Sequence, residues 1–110
     1  MTLITVYSMA AAAAPDGVRV LSALSVTNPY ANKELRPLDG RHPRVQQFVL
    51  EHGGRALLET AESLVLRHGI LDIGFRCVGG RHRSVALAEQ LTARLRARDH
   101  PARVVHLDLF

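Results

Sequence analysis

The chain has 110 residues, 47% of them apolar and 22% charged, which provides for one hydrophobic core and excludes global disorder. The net charge is +4 and Lys33 is the only lysine, so the positive charge is almost all arginine, a residue that grips phosphate and carboxylate through a planar fork. A single cysteine, Cys77, excludes an internal disulfide framework and a multi-cysteine zinc site, and it suits a reducing cytoplasm.

Leu3, Thr5 and Tyr7 alternate with Ile4, Val6 and Ser8, a pattern that predicts a buried first strand. The apolar run from Leu3 to Ala14 has no Lys or Arg before it and is too short to span a bilayer. No membrane association is expected from it. Residues 10–17 read as a loop, with Pro15-Asp16-Gly17 as turn chemistry, and residues 18–24 read as a second strand. The two strands are expected to form a hairpin or to lie side by side. From Ser25 to His42 the periodicity is lost, punctuated by Asn28-Pro29, Arg36-Pro37 and Asp39-Gly40. A loop of that size in so small a domain is often functional.

Pro43 suits the first turn of a helix, with Val45, Phe48 and Val49 on its apolar face and Gly53-Gly54 at its end. A second helix is expected from about Arg55 to His68, facing inward through Leu57, Ala61, Leu64 and Val65 and stopped by Gly69. Residues 70–76 form the strongest strand candidate, with Asp72 alone plainly polar before Arg76. A glycine loop follows at once. A helix then runs from Arg83 or Ser84 to Arg98, with Leu87, Leu91 and Leu95 inward and Glu89, Gln90, Arg94 and Arg96 toward water. Asp99 to Pro101 break it, and residues 102–109 return as a last strand.

The expected architecture is a single α/β domain over residues 1–110, with a small mixed or parallel sheet flanked by helices. Its second half reads strand, glycine loop, helix, strand, which a right-handed crossover makes parallel. In such sheets ligands bind beyond the carboxyl ends of the strands, where the glycine loop falls.

That loop reads Cys77-Val78-Gly79-Gly80-Arg81-His82-Arg83-Ser84. A helix start offers free backbone N–H groups and a partial positive charge, and glycines let the backbone approach an anion closely. Arg81, His82 and Arg83 add side-chain donors, so a phosphorylated small molecule is the expected partner. Arg36 is a second phosphate clamp or a surface arginine beside Pro37. Asn28 is a ligand contact or the cap of the turn before Pro29, and Tyr30 either stacks on a sugar or base or, the preferred reading, covers the edge of the core.

The Walker A pattern is missing, which argues against an ATPase or GTPase of that class. The spacing Cys77-x5-Arg83-Ser84 resembles the loop of cysteine-dependent phosphatases, so an enzyme with Cys77 as nucleophile and Arg83 as phosphate holder is the alternative. Arg76 stands where a histidine usually precedes that cysteine, and no aspartate is plainly placed as general acid. No cofactor is expected. His82 and His106, with Cys77 or Asp108, match no common zinc spacing, so no metal is expected either. Arg94, Arg96, Arg98 and Arg103 suit the negative end of the last helix, and an RNA-facing patch is the further alternative.

Three blocks of sequence resemble the C-terminal domain of RapZ, the RNase adapter protein family. They are Asn28-Pro29 with Glu34 to Gly40; Gly74, Cys77 and Gly79 to Val85 with Ala88 to Leu91; and His106 with Asp108. The resemblance implies an α/β regulatory domain that binds glucosamine 6-phosphate in the glycine-loop pocket, at the positions of Cys77, Gly79, Gly80, His82 and Arg83. It also implies a contribution to small-RNA binding and to self-association as a homo-oligomer. Full-length members carry an N-terminal nucleotide-binding domain, and the chain is expected to be a stand-alone version without it. Four positions depart from the family pattern: Tyr30 replaces a histidine, Val78 a threonine, Ser22-Ala23-Leu24 an Asp-x-Arg, and Leu107 an arginine.

Overall fold

The computed structural model describes residues 2–10 and 14–109. Among the described residues, four strands and three α-helices surround one core, in the order β1 (Ile4–Met9), β2 (Arg19–Ser22), α1 (Pro43–Val49), α2 (Arg55–His68), β3 (Asp72–Arg76), α3 (Arg83–Ala97) and β4 (Ala102–His106). All strand pairs are parallel, in the order β2-β3-β1-β4. The fold is therefore α/β with a parallel sheet.

The first two strands form neither a hairpin nor a neighbouring pair. β3 lies between them, pairing Val6 with Ile73 on one side and Leu21 with Phe75 on the other. The reason is burial. Ile73 and Phe75 are wholly apolar and completely buried, so β3 takes an inner position and leaves the half-exposed β2 at the edge. The strands are also shorter than expected. β2 stops at Ser22, β3 begins at Asp72, and β4 stops at His106.

Helix α3 packs across β1, β3 and β4, and α1 and α2 pack onto α3. This makes α3 a middle layer, buried through Val85, Ala86, Leu87, Ala88, Leu91 and Leu95. Its expected wet face is consequently half covered: Glu89 meets His106 at 2.9 Å, Gln90 Nε2 donates to the Gln46 carbonyl, and Arg94 lies 3.7 Å from Glu62. In α2 the stripe that reaches the core is Leu58, Ala61 and Val65, whereas Leu57 and Leu64 are half-buried at its flank.

The helix ends follow local chemistry. His42 caps α1 by accepting from the Arg44 N–H ahead of Pro43. A wide turn at Leu50–Gly54 joins α1 to α2 through Gly53 at φ +110°. Gly69 closes α2 in the left-handed region. Among the described residues, no helix is long and apolar enough to cross a membrane.

Candidate functional site

The carboxyl ends of β1, β3 and β4 converge beneath the glycine loop. The Cys77 N–H donates to the Met9 carbonyl, Asp108 accepts from the Ala10 N–H at 2.8 Å, and the Leu107 N–H donates to the Ser8 carbonyl. Gly80 sits on this platform at φ +63°, and a Cβ there would lie 2.9 Å from the Ala10 nitrogen and 3.0 Å from the Asp108 Cβ. Only glycine fits both the backbone conformation and the space.

From Gly80 the chain enters α3, whose N-terminus is electrically bare. His82 at the cap makes no capping hydrogen bond, and the first turn carries no acidic side chain. Among the described residues, the backbone N–H groups of Val78, Gly79, Gly80, His82 and Arg83 are not hydrogen-bonded to any protein acceptor. The Ser84 N–H is different, being directed at the Cys77 sulfur at 3.3 Å.

An open cleft of about 340 Å³ adjoins the loop, lined by Asn28, Tyr30, Val78, Gly79, Arg81 and His82. That volume falls at the small end of the range for small-molecule sites, about 300–1,000 Å³. His82 is only 6% exposed, and its Nε2 is buried with no hydrogen-bond partner among the described residues. A buried, unpaired imidazole nitrogen is costly unless something else satisfies it.

The structure brings Asn28, Val78, Gly79, Arg81 and His82 to one cleft and distributes the other expected site residues around it. Asn28 does cap a turn, its Oδ1 accepting from the Tyr30 N–H at 3.1 Å. Arg36 is not in the cleft wall. Its Nε donates to the Tyr30 carbonyl at 2.9 Å, and its guanidinium lies 4.7 Å over the Tyr30 ring, so it braces that side chain. Tyr30 itself does not cover the core edge. It is 55% exposed and forms part of the cleft.

Arg83 is 6% exposed, and its Nη1 hydrogen-bonds to the carbonyls of Ala23, Leu24 and Val26. It clamps the segment after β2 to the start of α3. Cys77 is 1% exposed, and its thiol hydrogen-bonds to Ser84 Oγ at 3.1 Å beneath the loop rather than lining the cleft. His106 has both ring nitrogens engaged, with Ser8 Oγ at 2.6 Å and Glu89 at 2.9 Å. Among the described residues, no three His, Cys, Asp or Glu side chains form a metal-ligand cluster.

Gly40 is a part of the site that sequence reasoning missed. A Cβ at Gly40 would lie 2.2 Å from the Ala86 nitrogen and 2.5 Å from the His82 carbonyl, and its N–H donates to the Arg81 carbonyl. Arg81 reciprocates by donating to the carbonyls of Pro37 and Leu38. The Leu35 to Gly40 segment thus backs the glycine loop from behind. Beside it, hydrogen bonds from Arg41 hold the Asp39 carboxyl below the usual carboxylate range, against a smaller opposing effect of burial.

These couplings join the upstream and glycine-loop blocks of sequence into one structural unit. The family model for the RapZ C-terminal domain matches residues 3–110. The chain belongs to the RapZ C-terminal domain family. It is 45% identical over 104 residues to a nucleotide-binding protein of Frankia alni, covering 86% of this chain and 36% of that protein. Nucleotide-binding proteins of Mycobacterium bovis and Thermobifida fusca are 40% and 38% identical, each over 86% of this chain and 35% of their own length. The chain thus spans about a third of the length of these relatives.

Proposed function

We propose that this RapZ C-terminal-type domain is a ligand-binding domain of regulatory or adapter kind, and that its glycine loop receives the phosphate group of a small phosphorylated molecule. The observation that carries the reading is the set of unpaired polar groups beside the cleft: the N–H groups of the loop at the uncapped end of α3, and the buried His82 Nε2. A phosphate supplies acceptors for these N–H groups and complements the helix dipole. Arg81, on the cleft wall, adds positive charge. Glucosamine 6-phosphate, which the family resemblance implies, is one candidate for the whole ligand.

The two alternatives receive less support. Cys77 is buried and bonded to Ser84, which suits a structural thiol better than a nucleophile. Arg94 and Arg98 both lie near Glu62, Arg96 donates to the Ala102 carbonyl and Arg103 to Thr5 Oγ1, so the arginines expected to face RNA are engaged within the domain.

Calorimetric titration with inorganic phosphate, glucose 6-phosphate and glucosamine 6-phosphate tests the reading. Saturable binding that weakens with added salt is expected. No heat and no competition among these ligands would overturn it. Turnover of an aryl phosphate that disappears in Cys77→Ser would move the assignment to an enzyme.

A further inference from the structure

The wall of the cleft beyond the phosphate donors has a definite chemistry. Val78 is 66% exposed and Tyr30 is 55% exposed, so this part of the wall offers apolar and aromatic surface to whatever enters the cleft. Arg36 covers one side of the Tyr30 ring, and the His82 ring meets it edge-on at 6.3 Å and 69°. The phenol is therefore fixed as part of the wall.

The cleft lining contains no carboxylate. The acids of the neighbouring segments are engaged elsewhere: Glu34 with Arg44 at 2.7 Å, Asp39 with Arg41 at 2.8 Å, and Asp108 with the Ala10 N–H. An ammonium group entering with the phosphate would meet Arg81 and no carboxylate on the cleft wall. A flat ring would instead cover the exposed faces of Val78 and Tyr30, where stacking adds to burial.

The geometry points to a phosphate monoester that carries an uncharged aromatic ring, in preference to a phosphorylated amino sugar. The inference rests on the phosphate reading above and concerns the remainder of the ligand. Two sources share this chemistry, a nucleoside monophosphate and a simple aryl phosphate. Both fit a cleft of this size better than a polymer does.

The test is calorimetric titration of the intact chain with inorganic phosphate, phenyl phosphate, adenosine 5′-monophosphate, glucose 6-phosphate and glucosamine 6-phosphate. At least one aromatic ester is expected to bind about tenfold more tightly than inorganic phosphate, the gain typical of one stacked ring. Which of the two gains more separates the sources. Glucosamine 6-phosphate is expected to bind no more tightly than glucose 6-phosphate. In Tyr30→Ala the aromatic advantage, read as the ratio of aromatic-ester to inorganic-phosphate affinity in the same variant so that a general loss cancels, should fall below about threefold. Tighter binding of glucosamine 6-phosphate than of either aromatic ester, or an aromatic advantage unchanged in Tyr30→Ala, overturns this inference and leaves the phosphate site standing. Failure of every phosphate probe, inorganic phosphate included, overturns both.

Discussion

Two glycine pairs precede helices in this chain, and they behave differently. Gly53-Gly54 leads into α2 and Gly79-Gly80 into α3; both pairs include a positive φ, and neither helix has a side-chain cap. The first pair joins helix to helix. Its wide turn is packed against the Val26 region, with Gly54 pressed on the Val49 carbonyl and the Thr27 N–H bonded to the His52 carbonyl. The second pair joins a strand to a helix at the carboxyl edge of the sheet, where its N–H groups have no protein acceptor among the described residues and a cleft lies alongside. Glycine content and a helix start are common to both. What distinguishes a site is whether the donors are left unsatisfied at an accessible place.

This contrast can be broken in several ways. The largest effect is expected from Gly40→Ala, which places a methyl group against the backbone of α3 and forces helix and loop apart. It should cost more than about 3 kcal/mol in urea denaturation, beyond ordinary overpacking because the neighbours are main chain. Gly80→Ala comes next, combining left-handed strain with crowding by Ala10 and Asp108. About 3 kcal/mol and the loss of phosphate binding are expected. Gly53→Ala has only contacts of 3.6 Å or longer around its new methyl group, so about 1–2 kcal/mol of strain is expected, with phosphate affinity intact. Equal loss of binding in both glycine variants would erase the distinction between the two loops.

His82→Phe sharpens the comparison from the side of the cleft. It keeps a ring of similar shape and removes the unpaired Nε2. Phosphate affinity should fall about tenfold, the value of one hydrogen bond to a charged group, while the melting temperature stays near that of wild type. The smallest effect concerns Asp39, whose carboxyl is held below its usual range chiefly by the hydrogen bond from Arg41. A depressed folded-state pKa stabilises the fold above the unfolded pKa and loses that contribution as pH falls through the folded value. The small stability advantage of wild type over Asp39→Asn should therefore be level at neutral pH and vanish on acidification below the normal carboxylate range, as followed by thermal melts across pH.

The sequence reading recovered the parts of the fold that are written locally. Ile73 and Phe75 before Gly79-Gly80, and the four-residue recurrence of Leu87, Leu91 and Leu95 after them, define a strand, a loop and a helix within one short stretch. The order of the strands is a matter of long-range pairing. Nothing within residues 3–24 reveals that β3 enters between β1 and β2. The destination of Arg83 was equally hidden, because a guanidinium donates as readily to a row of carbonyls as to a phosphate. Tyr30 was misplaced since its exposure depends on Arg36 and on the turn that Asn28 caps. Gly40 carried no conformational signal; what it requires is space, and the atoms that claim that space belong to α3, more than forty residues away. The family resemblance couples the Glu34–Gly40 block to the glycine loop only as an order of blocks along the sequence, and the contacts of Gly40 and Arg81 bring the two together in space.

The most direct test follows the backbone amide signals of the isotope-labelled chain by nuclear magnetic resonance during titration with inorganic phosphate. Saturable shifts concentrated at Val78, Gly79, Gly80, His82 and Arg83, with Arg55 and Ala56 at the start of α2 unmoved, are the predicted result. Shifts that never saturate, or that spread over the arginines of the surface and leave the loop amides in place, would contradict it.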